Sequence, residues 1–150
     1  MEPIYKQRFK ARWGDMDYNA HMSNTAYLDV AGDVRMLFFE ENGFSMREFE
    51  RLHLGPVIMK DEISYYKELR LLEEFEVHQL LAGISEDGSR FRLCNIFYNK
   101  DGKKAATVTS SGGWLDLQKR VLVPPPANLL AVIHRLVKTD DYEVLPNSTK

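Results

Sequence analysis

Apolar and polar positions change period several times along the chain. Residues 5–13 partly alternate polar with apolar and read as a strand. Across residues 24–41, Tyr27, Val30, Ala31, Val34, Leu37 and Phe38 recur at helical spacing, and Leu28, Met36 and Phe39 widen the apolar face beyond a surface stripe. A helix greasy around much of its girth is one surrounded by protein. Ser23 or Asn24 can cap its start, and Gly43 suits the position just past its end. Gly32, inside it, costs about 1 kcal/mol against alanine, which fits a close approach of another backbone.

Four extended segments follow. Residues 56–66 hold Val57, Met59, Ile63 and Tyr65 in one phase; 74–82 hold Phe75, Val77 and Leu81; 90–98 hold Phe91, Leu93 and Phe97; 104–117 are rich in Thr, Ser and Val. Glu86-Asp87-Gly88 and Lys100-Asp101-Gly102 are hairpin-type turns between them, so these strands run antiparallel. The prolines 124–126 break the chain, and Ala127 to Val137 reads as a short amphipathic helix. Residues 139–150 read as a loose polar tail beyond a single domain, 1–138. An antiparallel sheet with one apolar face must be covered, and only the long helix is large enough to do it. The expected class is therefore α+β, a sheet wrapped around one long central helix. Its exposed edge would be removed by pairing with a second copy.

The chain has 150 residues, 44% hydrophobic, which suits one domain with a real core. Twenty basic against 22 acidic residues, net −2, argue against sequence-blind nucleic-acid binding. A single cysteine, Cys94, excludes an intramolecular disulfide and a cysteine-based metal site. No segment approaches the roughly 20 apolar residues that span a bilayer. A cytoplasmic protein without a membrane partner is the expectation.

The candidate chemistry is concentrated in residues 14–24. Asp15, Asp17, Asn19, His21 and Asn24 fall immediately before the long helix, whose start carries free N–H groups and partial positive charge. Three readings compete. A calcium loop fails, because its sixth position is Ala20 rather than Gly and its twelfth is Ala26 rather than Glu. A purely structural loop is open, since Asp and Asn are common in turns and caps. A catalytic loop is equally open: a carboxylate beside a helix start can act as base or nucleophile. His53, His78 and His134 have no metal-ligand spacing, and neither a metal nor a cofactor is expected.

Arg12, Asp15, Asp17, Asn19, His21, Asn24 and Tyr27 together resemble the signature of hotdog-fold thioesterases, of the 4-hydroxybenzoyl-CoA and plant acyl-ACP types. The resemblance extends to the order of elements over residues 5–133. It implies a hotdog fold, an acyl-CoA substrate, a homodimer or homotetramer, and hydrolysis of the thioester. It makes Asp17 the catalytic carboxylate, with Asn19 and His21 as the accompanying amide and imidazole. The carbonyl-polarising N–H falls at or near Asn24, and a second such N–H at Gly55. Asp15 and Tyr27 take substrate-side positions, although Asp15 can equally hold the loop through backbone N–H groups. The family's further glutamate falls on no fixed position here; the register offers Ser64 or Glu68. Many relatives carry Gly at the position of Ala20 and Asn-Asn at Ser23-Asn24. The same fold also hosts hydro-lyases and acyl-CoA binders without turnover.

Overall fold

The structure, a computed structural model, describes residues 3–148. In chain order it contains β1 (Tyr5–Lys10), α1 (Asn24–Glu41), α2 (Met46–Leu52), β2 (Leu54–Tyr65), β3 (Glu74–Ser85), β4 (Arg90–Tyr98), β5 (Lys104–Asp116), β6 (Val121–Leu122), α3 (Ala127–Ile133) and β7 (Lys138–Leu145), with a single 3-10 turn at Trp13–Asp15. The sheet order is β1-β3-β4-β5-β2, and β2 forms one edge. Gly88 and Gly102 close the two hairpins at φ +79° and +75°, where L-residues are strained.

The inward positions of β3, β4 and β5 follow the expected phase, whereas on β2 a register shift between Ile58 and Lys60 leaves Met59 and Tyr65 exposed and packs Ile58 against the core. Phe75, Val77 and Leu81 on β3, Phe91, Leu93 and Phe97 on β4, and Val108 and Trp114 on β5 are all buried. α1 lies along this face. Its Ala26, Tyr27, Val30, Ala31 and Val34 join one apolar cluster, and Phe38 and Phe39 join a second around Trp114. Burying a Val or Phe side chain contributes roughly 1.5–3 kcal/mol, so packing rather than propensity holds this helix. The two clusters meet across polar ground. Gln79 and Asn95, fully buried neighbours on β3 and β4, share an amide hydrogen bond, Asn95 Nδ2 to Gln79 Oε1 at 3.2 Å.

Three further features depart from the sequence expectation. α2 forms where the sequence pattern placed no element; Ser45 caps it by accepting the Glu48 amide at 3.1 Å. The segment expected as a loose polar tail instead forms β7, which pairs parallel with β3, so the sheet is not wholly antiparallel. Gly83 makes the docking possible, because a Cβ there would stand 2.9 Å from the Glu143 carbonyl oxygen. Finally, α1 is not covered all round. Gly32 faces open space apart from the Arg35 guanidinium, and Met36 is 51% exposed. The flank that reads as buried in the sequence is bare in one chain.

Candidate active site

The polar loop is built to hold two carboxylates in different ways. Asp15 is turned inward and 7% exposed. Its Oδ2 accepts the Arg12 amide at 2.9 Å, and its Oδ1 accepts Arg12 Nη2 at 3.0 Å. The Arg12 guanidinium holds the Asp15 carboxyl below the usual range against the opposing effect of burial. The Asp15 carbonyl also accepts the Ser23 amide at 2.8 Å, tying the loop to the start of α1. Asp15 is the anchor of the loop, and its carboxyl is engaged by protein.

Asp17 is exposed, and its carboxyl is half engaged. Oδ1 accepts the amides of Asn19 at 2.8 Å and His21 at 3.3 Å, an Asx-type turn. Among the described residues, Oδ2 has no hydrogen-bond partner. The backbone closes the turn, with the Asp17 amide donating to the His21 carbonyl at 2.8 Å. Ala20 sits at its tip with φ +61°, a conformation glycine adopts freely and alanine does not.

Asp17 opens onto a cavity of about 420 Å³, together with His21, Asn24, Tyr27, Tyr65 and Glu68. Asn24 is the first residue of α1. Ser23 precedes it without making a capping bond; its hydroxyl lies 3.3 Å from Thr25 Oγ1 instead. No hydrogen bond among the described residues occupies the Asn24 or Thr25 amide, so the positive end of α1 faces the cavity unsatisfied. Tyr27 forms the floor, edge-on to Tyr65 with ring centroids 5.4 Å apart. Burial pushes the Tyr27 phenol up to about 12, so it stays a proton donor at neutral pH. On its other side, the Asp17 loop borders a broader hollow with the exposed Trp13 and Tyr18.

Of the residues anticipated from sequence, Asp17, His21, Asn24 and Tyr27 meet at one cavity. Asn19 contributes its backbone amide to Asp17, and Asp15 points away to Arg12. Gly55 lies at the opposite end of β2, in a separate cavity with the second half of α1. The structure also shows which of the two offered positions holds a carboxylate at the site: Glu68 Oε2 is 2.6 Å from His21 Nε2. Tyr66 and Lys67 line the same cavity.

The profile of the thioesterase-like superfamily matches residues 11–133. The chain belongs to that superfamily. Its curled sheet and helix are the hotdog arrangement that the motif implied. A Staphylococcus aureus protein solved in complex with CoA superposes with TM-score 0.83 at 21% identity, covering 100% of this chain and 90% of that one. The 1,4-dihydroxy-2-naphthoyl-CoA thioesterase from Synechocystis superposes with TM-score 0.79 at 10% identity, over 88% and 96% of the two chains. A DHNA-CoA thioesterase from Staphylococcus aureus gives TM-score 0.78 at 14% identity, over 88% and 89%. At these identities the likeness is one of fold. No curated protein matches this superfamily member by sequence.

Proposed function

We propose that this superfamily member hydrolyses acyl-CoA thioesters, with Asp17 as the reacting carboxylate. The observation that carries the reading is the state of the Asp17 carboxyl. One oxygen is pinned by two amides, and the other is free at a cavity that begins at the uncapped amides of α1. A thioester carbonyl seated over Asn24 would place its developing oxyanion against those amides, which are fixed in advance and need no reorganisation. Asp17 then has two routes. As a nucleophile, its Oδ2 bonds to the carbonyl carbon, the C–S bond breaks, CoA leaves as a thiolate that takes up a proton, and water cleaves the mixed anhydride. As a base, it takes a proton from water, the hydroxide adds to the carbonyl, and the proton passes to the departing thiolate. Asn19 and His21 hold Asp17 in place through their amides, and Glu68 orients the His21 ring.

The reading includes a homodimer formed through β2, with a tetramer as the larger alternative. Among the described residues, β2 has β5 as its sole strand partner and leaves Met59 to Glu62 exposed, and the neighbouring flank of α1 is bare at Gly32 and Met36. Antiparallel pairing of β2 with its copy about the strand midpoint would set Gly55 opposite Ser64 of the second chain. That brings the Gly55 amide towards the Tyr65 end of the other copy's cavity, where the motif asks for a second donor. Cys94 is buried and free, which suits the reducing cytoplasm, and no helix among the described residues is long and apolar enough to cross a membrane.

The test is a panel of acyl-CoA substrates followed by thiol release, with Asp17→Asn as control. Turnover that drops by more than about 100-fold in the variant supports the reading. Tight binding without turnover favours an acyl-CoA sensor, and an enoyl product favours a hydro-lyase. Turnover unchanged in Asp17→Asn refutes the assignment. With turnover in hand, a single-turnover reaction in ¹⁸O water tests the covalent route: an acid product initially unlabelled, with the label entering the Asp17 carboxyl, requires attack by Asp17 and opening of the anhydride at the Asp17 carboxyl carbon.

A further inference from the structure

Asp17 stands at the divide between two hollows. One is the cavity of about 420 Å³ that it shares with His21 and Asn24; the other, about 720 Å³, lies on the opposite side of the loop. The start of α1 straddles the same divide, since Asn24 lines the first hollow and Ser23 the second. Trp13, Met16, Tyr18 and Leu71 make the second hollow largely apolar. Its volume falls among those of small-molecule sites, roughly 300–1,000 Å³. None of the described residues that line it belongs to β2 or to the flank of α1 at Gly32 and Met36, the faces given to a second copy.

Two aromatic side chains are displayed at this hollow on a fixed backbone. Trp13 is 80% exposed, yet it belongs to the 3-10 turn that Asp15 closes: the Asp15 amide donates to the Arg12 carbonyl at 3.0 Å, and the Asp15 carboxyl accepts the Arg12 amide at 2.9 Å. Tyr18 is fully exposed between Asp17 and Asn19, and the Asn19 amide bound to Asp17 Oδ1 at 2.8 Å closes the turn around it. The hydrogen bonds that place the two carboxylates therefore also hold both rings in water. Single exposed apolar residues are ordinary, whereas a cluster of large ones lining a hollow marks a place for a ligand or partner.

Charge sorts the two hollows. The carbon of a thioester carries the acyl group on one side and the CoA sulfur on the other. A carbonyl seated at Asn24 beside Asp17 sends these two substituents to different sides of the loop. CoA is polyanionic through its phosphates. The first hollow is lined by Lys67, and Lys104 Nζ stands 5.4 Å from the centroid of the Tyr66 ring that also lines it. Among the described residues that line the second hollow there is no Lys, Arg or His, and the charged group is the Asp17 carboxylate. A nucleotide is disfavoured there, as is an acyl group ending in a carboxylate, while an apolar chain gains by covering the rings.

We infer that the hollow between Trp13, Tyr18 and Leu71 receives the acyl group of the substrate, that this group is apolar and uncharged, and that the CoA half leaves past Lys67. The inference rests on the thioesterase reading for the seating of the carbonyl, though the binding itself does not depend on turnover.

The chain supplies its own probe. Of its two tryptophans, Trp13 is exposed and Trp114 is fully buried, so acrylamide quenching of fluorescence reads Trp13. Non-hydrolysable S-alkyl-CoA thioethers of increasing chain length are titrated into the full chain, with CoA alone as control, and the corresponding thioesters are assayed for hydrolysis in parallel. Each added methylene should tighten binding about two- to four-fold until the hollow is filled. The bound alkyl ligands should shield Trp13 from acrylamide, and CoA alone should leave it accessible. A ligand ending in a carboxylate should bind on the order of ten-fold more weakly than its methyl-ended partner. Leu71→Asp should remove most of the gain per methylene, and the wild-type series needs no variant to fold. Affinity independent of chain length, a gain with Trp13 still accessible, or a gain that survives Leu71→Asp would each overturn the inference. Shielding of Trp13 by CoA alone would place the nucleotide there instead, and shielding in the ligand-free protein would place a second copy there; either overturns it. A chain-length gain that shields Trp13 without any hydrolysis would uphold the inference while sinking the thioesterase reading. Hydrolysis through Asp17 with Trp13 left accessible would do the reverse.

Discussion

Glu68 Oε2 stands 2.6 Å from His21 Nε2 beside the Asp17 cavity, joining the end of the Asp17 loop to the segment after β2. His21 also forms an isolated antiparallel bridge with Arg70, so ring and backbone are both held from the same side. The loop that positions Asp17 is therefore fixed at His21 by residues nearly fifty positions away in sequence.

Glu68→Gln and His21→Ala should lower kcat on the order of ten-fold each, with KM little changed, because a misplaced loop costs transition-state geometry rather than ground-state binding. The pair should act as a unit. The double variant should lose little more than either single one, and a double-mutant cycle measures this directly. Fully additive losses would mean that the contact contributes nothing to positioning.

Asp15 and Asp17 should separate cleanly under substitution. Asp17→Asn should lose activity at unchanged melting temperature, while Asp15→Asn should lower the melting temperature by a few degrees. The sign of its pH dependence follows from the lowered Asp15 carboxyl. A folded-state pKa below the unfolded value contributes stability above the unfolded value, and that contribution disappears as pH falls through the folded one. The gap in melting temperature between wild type and Asp15→Asn should thus be full at neutral pH and close below about pH 3.8. A gap independent of pH would show that charge is not what Asp15 supplies.

Gly112 and Gly14 make a matched pair for stability. A Cβ on Gly112 would sit 1.8 Å from the Val57 carbonyl oxygen, so Gly112→Ala must push β2 away from β5. It should cost more than about 3 kcal/mol, or abolish folding. Gly14 has nothing within 4 Å of an added Cβ, and Gly14→Ala should fall within about 0.5 kcal/mol of wild type. Denaturant midpoints decide both, and similar losses at the two sites would contradict this packing.

The sequence exposed those parts of the fold that repeat a period. α1 spans the 18 residues its apolar spacing implies, and β4 occupies the expected strand, since Phe91, Leu93 and Phe97 keep one phase. The loop before α1 was legible because five reactive side chains crowd into it. What stayed hidden depended on distant partners. β7 carries Asp140, Asp141 and Glu143 and has no apolar phase of its own; it becomes a strand only because Gly83 admits its backbone and Arg92 meets Glu143 at 2.7 Å. α2 is seven residues long, too short for periodicity to register, although Ser45 and Glu48 stand at capping-box spacing. Glu68 carried no local mark that would set it above Ser64, because only folding brings it to His21. Gln79 and Asn95 interrupt strand patterns at positions where polar residues read as noise.

That last pair gives the sharpest test of the core. Gln79 and Asn95 are fully buried beneath α1, and their shared bond leaves Gln79 Nε2 and Asn95 Oδ1 without partners. Flipping both amides would only exchange which atoms are left over. Each unsatisfied buried group costs about 1–3 kcal/mol, whereas replacing both partners with apolar groups of similar shape can be neutral or stabilising. Gln79→Met alone and Asn95→Leu alone should each destabilise, since each strands the other amide completely. The double variant should recover most of the loss and approach or exceed wild type. Chemical denaturation of all four proteins gives the coupling energy. If the double variant loses the sum of the singles, the amides must have partners that the protein's own side chains do not supply, and ordered water between α1 and the sheet becomes the explanation to pursue.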